Sequence, residues 1–550
     1  MFTLINLSLD CESLEDFPSQ HNLYFQVARS DLKMSNLDSD TQNLIPPATT
    51  HHHPPPPPPP EPAVKHPGPI TSLILQPFQW LNMLSSELNP SFILGIFLIY
   101  GLSQGFSGSF FKVVTDYYWK DVQKVQPSKV QLFIGLYHIP WVMKPVWGLM
   151  TDVFPIMGYR RRPYFVIAGV VGVAAAATVA EGGVRLGVEA ALWCLIAIAA
   201  GMAMADVTID ACIARNSIEF RELAPDMQSL CGVCSSAGAL VGFATSGFFV
   251  HHLGPQIALG ILAIPAASQI LLGFVIYEKK TSHLHDLSTN KTQAIVNLGG
   301  ALKGMYETIQ FPQVWKPSLY MYLSLALSIS THEGQFYWYT NPKAGPAFSQ
   351  ELVGMVHAIG ALASILGVLI YHKLFKDYSF RKLLFFAQLV YGLSGFLDLI
   401  FILRWNLALG LPDYLFVVME ECVSRVVSRV RWMPMIVLST TLCPTGIEGT
   451  FFALLMSIDS FGSLSSKWGG AVILQVFHVT RTDFDNLWLV ILIRNLLRIA
   501  TLGFILLVPN VARLDVQNPC DILQAGRKST DLETNDDSLQ LLPLKEGVTL

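Results

Sequence analysis

The chain has 550 residues, of which 51% are hydrophobic and only 14% are charged, and its net charge is −4. Soluble domains carry about 25% charged residues, and the charges here lie between long apolar runs, so the composition excludes a soluble globular protein. The slightly negative charge gives no reason to expect nucleic acid binding.

Residues 1–90 are predicted to form a disordered cytoplasmic N-terminal tail. Within this tail, His51–His53 precede seven consecutive prolines, Pro54–Pro60, which favour extended polyproline II structure over a packed domain. Acidic residues near the start, among them Asp10 and Glu12, are uncommon in transit peptides, so no organellar presequence is expected. The last part, residues 71–90, is predicted to lie along the membrane interface as an amphipathic lead-in.

Twelve apolar runs follow, each near the roughly 20 residues that a helix needs to span a bilayer. They predict an all-α membrane protein with twelve transmembrane helices in two pseudo-symmetric six-helix halves. The first half covers 91–277, a cytoplasmic linker 278–316, the second half 317–508, and a disordered cytoplasmic tail 509–550. The predicted helices are 91–111, 130–153, 163–182, 188–212, 229–252, 257–277, 317–337, 350–372, 383–403, 411–431, 449–477 and 487–508.

The loops between even-numbered and odd-numbered helices contain more lysine and arginine than the loops on the opposite side. Because positively charged loops remain in the cytoplasm, we expect both termini inside the cell.

An internal repeat supports the division into halves. When the chain is shifted by 219 residues against itself, helices 1–6 align with helices 7–12 without a gap. Identical residues recur in several separate segments, as expected for a duplicated transporter fold. The matches include Tyr118-Trp119 with Tyr337-Trp338, Gly135 with Gly354, His138 with His357, and Arg162 with Arg381.

The stretch from the end of helix 2 into the following loop contains Gly148, Asp152 and the adjacent arginines Arg160, Arg161 and Arg162. This spacing resembles the loop signature between helices 2 and 3 of the major facilitator superfamily. Gly148 would let a neighbouring helix approach closely, and Asp152 with the arginines would close the cytoplasmic side through contacts between the halves. The alternative is a loop that only sets the topology.

Ionisable residues inside spanning helices are costly, so they are expected to face protein or water. The 219-residue shift aligns Asp206 with Arg425 and Asp210 with Arg429. Each pair of equal charges is spaced i, i+4 and therefore shares one helix face. We expect opposed rows of unlike charge along the central cavity, with the two acids accepting a coupling proton. Alternatively, these four residues only reach towards the cytoplasmic surface.

Lys144 has no counterpart in the repeat and is a second candidate; it either pairs with Asp152 or faces a substrate. Together with Arg425 it would supply positive charge to a flat anionic solute, and Trp141 and Tyr137 would supply aromatic surface. Aromatic residues at 117–119 and 336–338 are interpreted as an interfacial belt or, alternatively, as a stacking platform.

Three stretches resemble the plant folate–biopterin transporter family: residues 135–164, MADVTIDACIARNS at 204–217, and CPTGIEGTFFALLMSI at 443–458. The resemblance implies a monomeric twelve-helix secondary transporter that moves folates or related pterins across a lipid bilayer, with H+ as the coupling ion.

Two other functions remain open: transport of another small solute, and a non-transporting membrane receptor or scaffold. An enzyme is not expected, because the helices contain no nucleophile–base pair and no spacing typical of metal ligands; no cofactor and no metal is expected either. The compartment is either the plasma membrane or an endomembrane such as the vacuole, since Asp537–Leu542 resembles an acidic dileucine sorting signal.

Overall fold

The computed structural model describes residues 69–278, 280, 310, 312–375, 378–441 and 448–508. Within these ranges it does not describe the side chains of residues 69–77, 149, 152, 153, 218, 221, 225, 313, 372, 436–441 and 448–454. The predictions for the polyproline tail, most of the linker, the dileucine string and the side chain of Asp152 therefore lie outside the described part. Residues 1–85 and 86–550 are separate units; helix Pro69–Glu87 begins in the first, and the second is described below.

Each of the twelve predicted spans contains helix, and we number the helices α1–α12 accordingly. The first half contains α1 (Pro90–Val122), α2 (Pro127–Val142 and Lys144–Val153), α3 (Arg162–Gly182), α4 (Val188–Glu219), α5 (224–253) and α6 (255–275). The second contains α7 (Pro312–Ala326 and His332–Tyr339), α8 (Gln350–Phe375), α9 (Phe380–Ile402), α10 (Asp413–Thr441), α11 (Glu448–Val476) and α12 (Leu487–Leu507).

Within the described ranges, seven helical spans are by themselves long and apolar enough to cross a membrane, and α5 and α6 run together in one of them. The remaining helices, α2, α7, α10 and α11, fall short of that criterion. α2 and α7 are each interrupted, α10 is rich in charged residues, and α11 is rich in serine and glycine. A polar or broken helix is stable in a bilayer when it faces protein or a water-filled cavity, and residues of all four helices line cavities within the bundle.

Proline and glycine explain the interruptions. α2 breaks at Met143, because Pro145 lies in the first turn of the next helical segment and cannot donate a backbone hydrogen bond. α5 and α6 meet at Gly254, whose φ of 79° is in the left-handed region that favours glycine. The chain therefore turns sharply there, between the two helices.

Two seams join the halves: α5 packs on α8, and α2 packs on α11. A Cβ atom at Gly354 of α8 would lie 2.9 Å from the carbonyl oxygen of Phe243 on α5, and one at Gly135 of α2 would lie 2.3 Å from the Trp468 indole on α11. Gly135 and Gly354 are equivalent in the repeat, so the repeated glycine permits close helix approach in both seams.

The aromatic residues at 117–119 and 336–338 are buried, with exposures of at most 4%. The interpretation as an interfacial belt is therefore wrong. The physical reason is that α1 continues as helix to Val122, so residues 117–119 pack inside the bundle. Residues 336–338 lie in the second segment of α7, where Phe336 contacts the Tyr117 ring edge to face. Trp119 donates its indole N–H to the Tyr137 hydroxyl at 2.5 Å.

The halves also meet at the face opposite the Arg160–Arg162 loop. The Tyr337 hydroxyl donates to the carbonyl of Val125 at 2.9 Å. Arg481 donates to the carbonyls of Lys120 and Lys124 at 2.8 and 3.0 Å. These contacts run from the second half to the first, so this face is closed.

Candidate functional site

A cavity of about 480 Å³ lies between the halves, with walls from α1, α2, α4, α7 and α11. Its polar lining includes Lys112 and Asp116 from α1, His138 from α2, His332 from α7 and Lys467 from α11. Its aromatic lining comes from Phe111, Tyr137 and Trp141. The cavity thus combines cationic groups with flat apolar surface, which suits a planar solute bearing negative charge.

Of the residues predicted for the cavity, Tyr137 and Trp141 line it. Lys144 lies next to it, with Nζ 4.9 Å from the centre of the Trp141 ring, a cation–π contact. The other predicted cavity residues, Asp206, Asp210, Arg425 and Arg429, belong to clusters within their own halves.

The first cluster lies between α1, α2 and α4. Lys144 Nζ is 2.5 Å from the Asp206 carboxylate, which is fully buried. The Tyr100 hydroxyl donates a hydrogen bond to Asp210, one turn further along α4. Lys144, the lysine that lacks a repeat counterpart, therefore compensates the buried acid of α4. The alternative pairing with Asp152 concerns a side chain outside the described part of the chain.

The second cluster lies between α8 and α10. Glu421 accepts from Arg425 at 2.8 Å and is 3.0 Å from His357 Nδ1. The Arg429 guanidinium stacks on Trp432 at 5.3 Å. The Glu421 side chain is 15% exposed, so this carboxylate is largely buried between the two helices.

The predicted opposed rows of Asp206 with Arg425 and Asp210 with Arg429 do not form. Positions aligned by the repeat are related by the pseudo-two-fold axis, and such a relation makes them equivalent without bringing them into contact. Asp206 is instead paired with Lys144 of α2, and Arg425 is paired with Glu421 in the preceding turn of α10, so both ion pairs lie within one half.

A polar cluster that was not predicted from the sequence spans the two halves. A carboxylate oxygen of Asp116 on α1 lies 2.9 Å from His332 Nε2 of α7, within hydrogen-bond distance, and Glu333 places a carboxylate oxygen within 4.8 Å of both. Glu333 is fully buried, and neither of its carboxylate oxygens has a hydrogen-bond partner. His332 and Glu333 could have been identified as candidates, because they are ionisable residues inside the predicted helix 317–337. Asp116 could not, because the predicted first helix ended at residue 111.

A second, smaller cavity of about 160 Å³ lies within the second half and shares His332 with the first. Its polar wall is a network around Arg494, which pairs with Asp398 and donates to Gln335 at 3.1 Å. Gln335 in turn donates to Asp398 at 2.8 Å. These residues lie inside predicted spans but were not identified as candidates; α12 and α9 bring them together.

The arginine loop is held within the first half by its described contacts. The Glu278 carboxylate, at the end of α6, accepts from the backbone N–H groups of Arg160, Arg161 and Arg162 at 2.7–3.1 Å. Arg161 also donates to Thr151, and Arg162 to carbonyls at the end of α6. The predicted gating contacts between halves are not among these, so for this loop the gate remains a prediction.

Gly148 does not have the close-packing role that was expected. A Cβ atom there would meet Val207 of α4 at 3.6 Å, an ordinary van der Waals distance. The close approach of the helices depends on other glycines, such as Gly354.

Two six-helix halves around a polar cavity define the major facilitator type of membrane transport protein. Solved structures agree with this fold. The nucleoside transporter NupG matches with a TM-score of 0.58 over 76% of this chain and 99% of that chain, at 12% identity. The D-xylose–proton symporter matches with a TM-score of 0.53 over 76% and 97%, at 14% identity.

Within that class, the chain belongs to the BT1 family, whose pattern matches residues 104–523. A relative from Arabidopsis thaliana, "Probable folate-biopterin transporter 6", is 64% identical over 82% of this chain and 90% of its own length. "Probable folate-biopterin transporter 2" of the same plant is 46% identical over 88% and 96%. "Folate transporter 2" of Plasmodium falciparum is 25% identical over 79% and 92%. The chain is an integral membrane protein.

Proposed function

We propose that this protein is a secondary transporter of folates or related pterins, and that the solute binds in the 480 Å³ cavity between the halves. The proposal rests on one observation: two lysines and three aromatic side chains line a cavity that both halves form. The volume falls within the roughly 300–1,000 Å³ typical of small-molecule sites. The names of the relatives support the solute class.

The aromatic and the cationic side chains of the cavity each suit one part of a folate molecule. A folate has a flat pterin ring and a glutamate with two carboxylates. Trp141, Tyr137 and Phe111 offer ring faces and edges for the pterin. Lys112 and Lys467 offer ammonium groups for the carboxylates, and such charge-assisted hydrogen bonds are stronger than neutral ones.

We also propose that H+ is the coupling ion and that the cluster of Asp116, His332 and Glu333 carries it. Two buried carboxyl groups this close cannot both be ionised cheaply, so a shared proton stabilises the cluster. The cluster joins α1 to α7, and a movement between the halves would separate its members. Asp206 is a poorer candidate, because its partner Lys144 belongs to the same half and would move with it.

Uptake measurements in a folate-auxotrophic host test the solute. Labelled folate, biopterin, a nucleoside and a sugar would be compared in cells expressing the chain and in vector controls. Accumulation of folate or biopterin above the control is expected. Accumulation of only the nucleoside or the sugar would replace the solute assignment, and no accumulation of any label with normal membrane expression would favour a receptor or scaffold.

For the compartment we propose an endomembrane, with the string Asp537–Leu542 as the sorting signal. Imaging of a tagged protein with Leu541→Ala and Leu542→Ala tests this. Redistribution to the plasma membrane is expected, and an unchanged location would remove the proposal.

A further inference from the structure

A second group of ligand-type side chains crosses the α5–α8 seam, at the face opposite the arginine loop. His251 and His252 occupy the last turn of α5, directly before the break at Gly254, and Glu351 lies in the first turn of α8. His251 Nδ1 is 3.2 Å from a carboxylate oxygen of Glu351. One ligand atom from each of the three residues lies within 4.8 Å of the other two.

The backbone positions of these residues are well determined by packing. Gly247, one turn before His251, would bring a Cβ atom within 2.2 Å of the Gln350 carbonyl oxygen, so the two helices touch backbone to backbone. The next contact along the seam is Gly354 against Phe243. Such close contact fixes the distance between the end of α5 and the start of α8.

One of the histidines is also oriented for binding. His252 Nδ1 lies 3.0 Å from the carbonyl oxygen of Phe248, which can only accept, so Nδ1 carries the hydrogen. In a neutral ring the lone pair is then on Nε2. A histidine that ligates a metal commonly donates its other ring N–H to a backbone carbonyl in this way.

We propose that His251, His252 and Glu351 bind one divalent transition-metal ion, of which Zn²⁺ is the representative, and that the ion links the two halves of the protein. Two imidazoles and one carboxylate are an established ligand set for such ions, with water completing the coordination. Ligand atoms around tetrahedral Zn²⁺ lie about 3.3 Å apart, as follows from bond lengths of about 2.0–2.1 Å.

The existing geometry is close to this requirement. The side chains of His251 and Glu351 are 57% and 42% exposed, so they are free to make small rotations and an ion can reach them from water. Glu351 supplies the negative charge that neutral histidines lack.

Metal binding at this site would depend on the relative position of the two halves. The ion would be held by α5 of one half and α8 of the other, at a face that is closed in this structure. If that face opens when the halves move apart, the ligands separate and the ion is lost. The metal therefore favours the closed state, because a ligand stabilises the state to which it binds more tightly. This part of the inference rests on the proposed transport function.

Binding is tested on the purified full chain without a histidine tag, in a background in which His51, His52 and His53 are replaced by Ala. Calorimetric titration with ZnCl₂ should find a site that His251→Ala and Glu351→Gln each weaken by at least about tenfold, since even changes behind a ligand cost about 10–100-fold. His478→Ala, which changes an exposed histidine outside the cluster, is the matched control and should bind as the background does.

Equal Zn²⁺ binding by Glu351→Gln and the background would overturn the link between the halves, because the histidines of one helix would then suffice. The absence of a site that depends on His251 would overturn the proposal altogether.

The stabilising effect is read from the melting temperature, which Zn²⁺ should raise in the background and not in Glu351→Gln. External Zn²⁺ should also slow uptake of whichever label the untreated protein transports, again only when Glu351 is present. Zinc binding without either effect would overturn the closed-state assignment. Failure to take up folate or biopterin would count against the solute alone and would leave the calorimetric result unchanged.

Discussion

Lys144 of α2 and Asp206 of α4 form an ion pair 2.5 Å long, and the aspartate has no exposure to solvent. Repeat alignment points instead to Arg425 as the partner of Asp206, and Arg425 is bound to Glu421. The buried charge of α4 is therefore compensated inside the first half, by a residue that the second half does not duplicate.

Lys144→Ala should destabilise the protein, because it leaves Asp206 as a buried charge without a partner, at a cost of about 3–5 kcal/mol. Thermal unfolding of the purified protein measures this. The exchange Lys144→Asp with Asp206→Lys should recover part of the loss, whereas Asp206→Arg with Arg425→Asp should not. Better recovery by the second exchange would show that the two halves do pair their charges.

Glu333→Gln should abolish the acceleration of uptake by an inward proton gradient, because a neutral amide cannot bind and release the coupling proton. Exchange of labelled for unlabelled solute, which needs no net proton movement, should continue. Uptake at two external pH values and counterflow in vesicles measure the two activities. Glu189→Gln, at an exposed position in the first turn of α4, is the control. A normal pH response in Glu333→Gln would locate the proton elsewhere.

Lys467→Met should weaken transport of folate more than that of biopterin, since only folate has glutamate carboxylates. Loss of a hydrogen bond to a charged group costs about 1.5–3 kcal/mol, which corresponds to a rise in KM of roughly tenfold or more. The difference is measured by comparing the KM values of the variant and the unmodified protein for both solutes. Equal losses for the two solutes would mean that Lys467 maintains the cavity rather than contacts the carboxylates.

Gly247→Ala should destabilise the α5–α8 seam by about 1–3 kcal/mol, because the added methyl group meets the backbone of Gln350. Gly148→Ala should have little effect on stability, since the methyl group has ordinary contacts there. The melting temperatures of the two variants compare them directly. A larger drop in melting temperature for Gly148→Ala would contradict this assignment of the close contact to the α5–α8 seam.

Glu278→Gln should loosen the arginine loop, because an amide oxygen replaces the carboxylate that accepts from three successive backbone N–H groups. Tryptic cleavage at Arg160–Arg162 in membranes with this face accessible should become faster. Glu222→Gln, at an exposed position in the next loop on the same face, should leave the rate unchanged. Equal cleavage in Glu278→Gln and the unmodified chain would contradict the anchoring role.

The membrane-spanning, all-helical class was predictable from the sequence, because the cost of placing polar residues in a bilayer produces apolar runs of membrane length. The 219-residue repeat predicted the two halves, since duplicated packing leaves identical residues such as Gly135 and Gly354 at equivalent positions. The arginines of the loop predicted a position at a membrane surface, because charged side chains are costly inside a bilayer.

The partners of the embedded charges were decided by the tertiary structure. Whether Asp206 meets Lys144 or Arg425 depends on the rotation and tilt of three helices, and hydropathy contains no information on either. The extension of α1 to Val122 was also hidden, because Asp116 and Lys120 look like loop residues until a second half covers them. The cluster of Asp116, His332 and Glu333 exists only because α1 and α7, more than 200 residues apart, pack against each other across the halves.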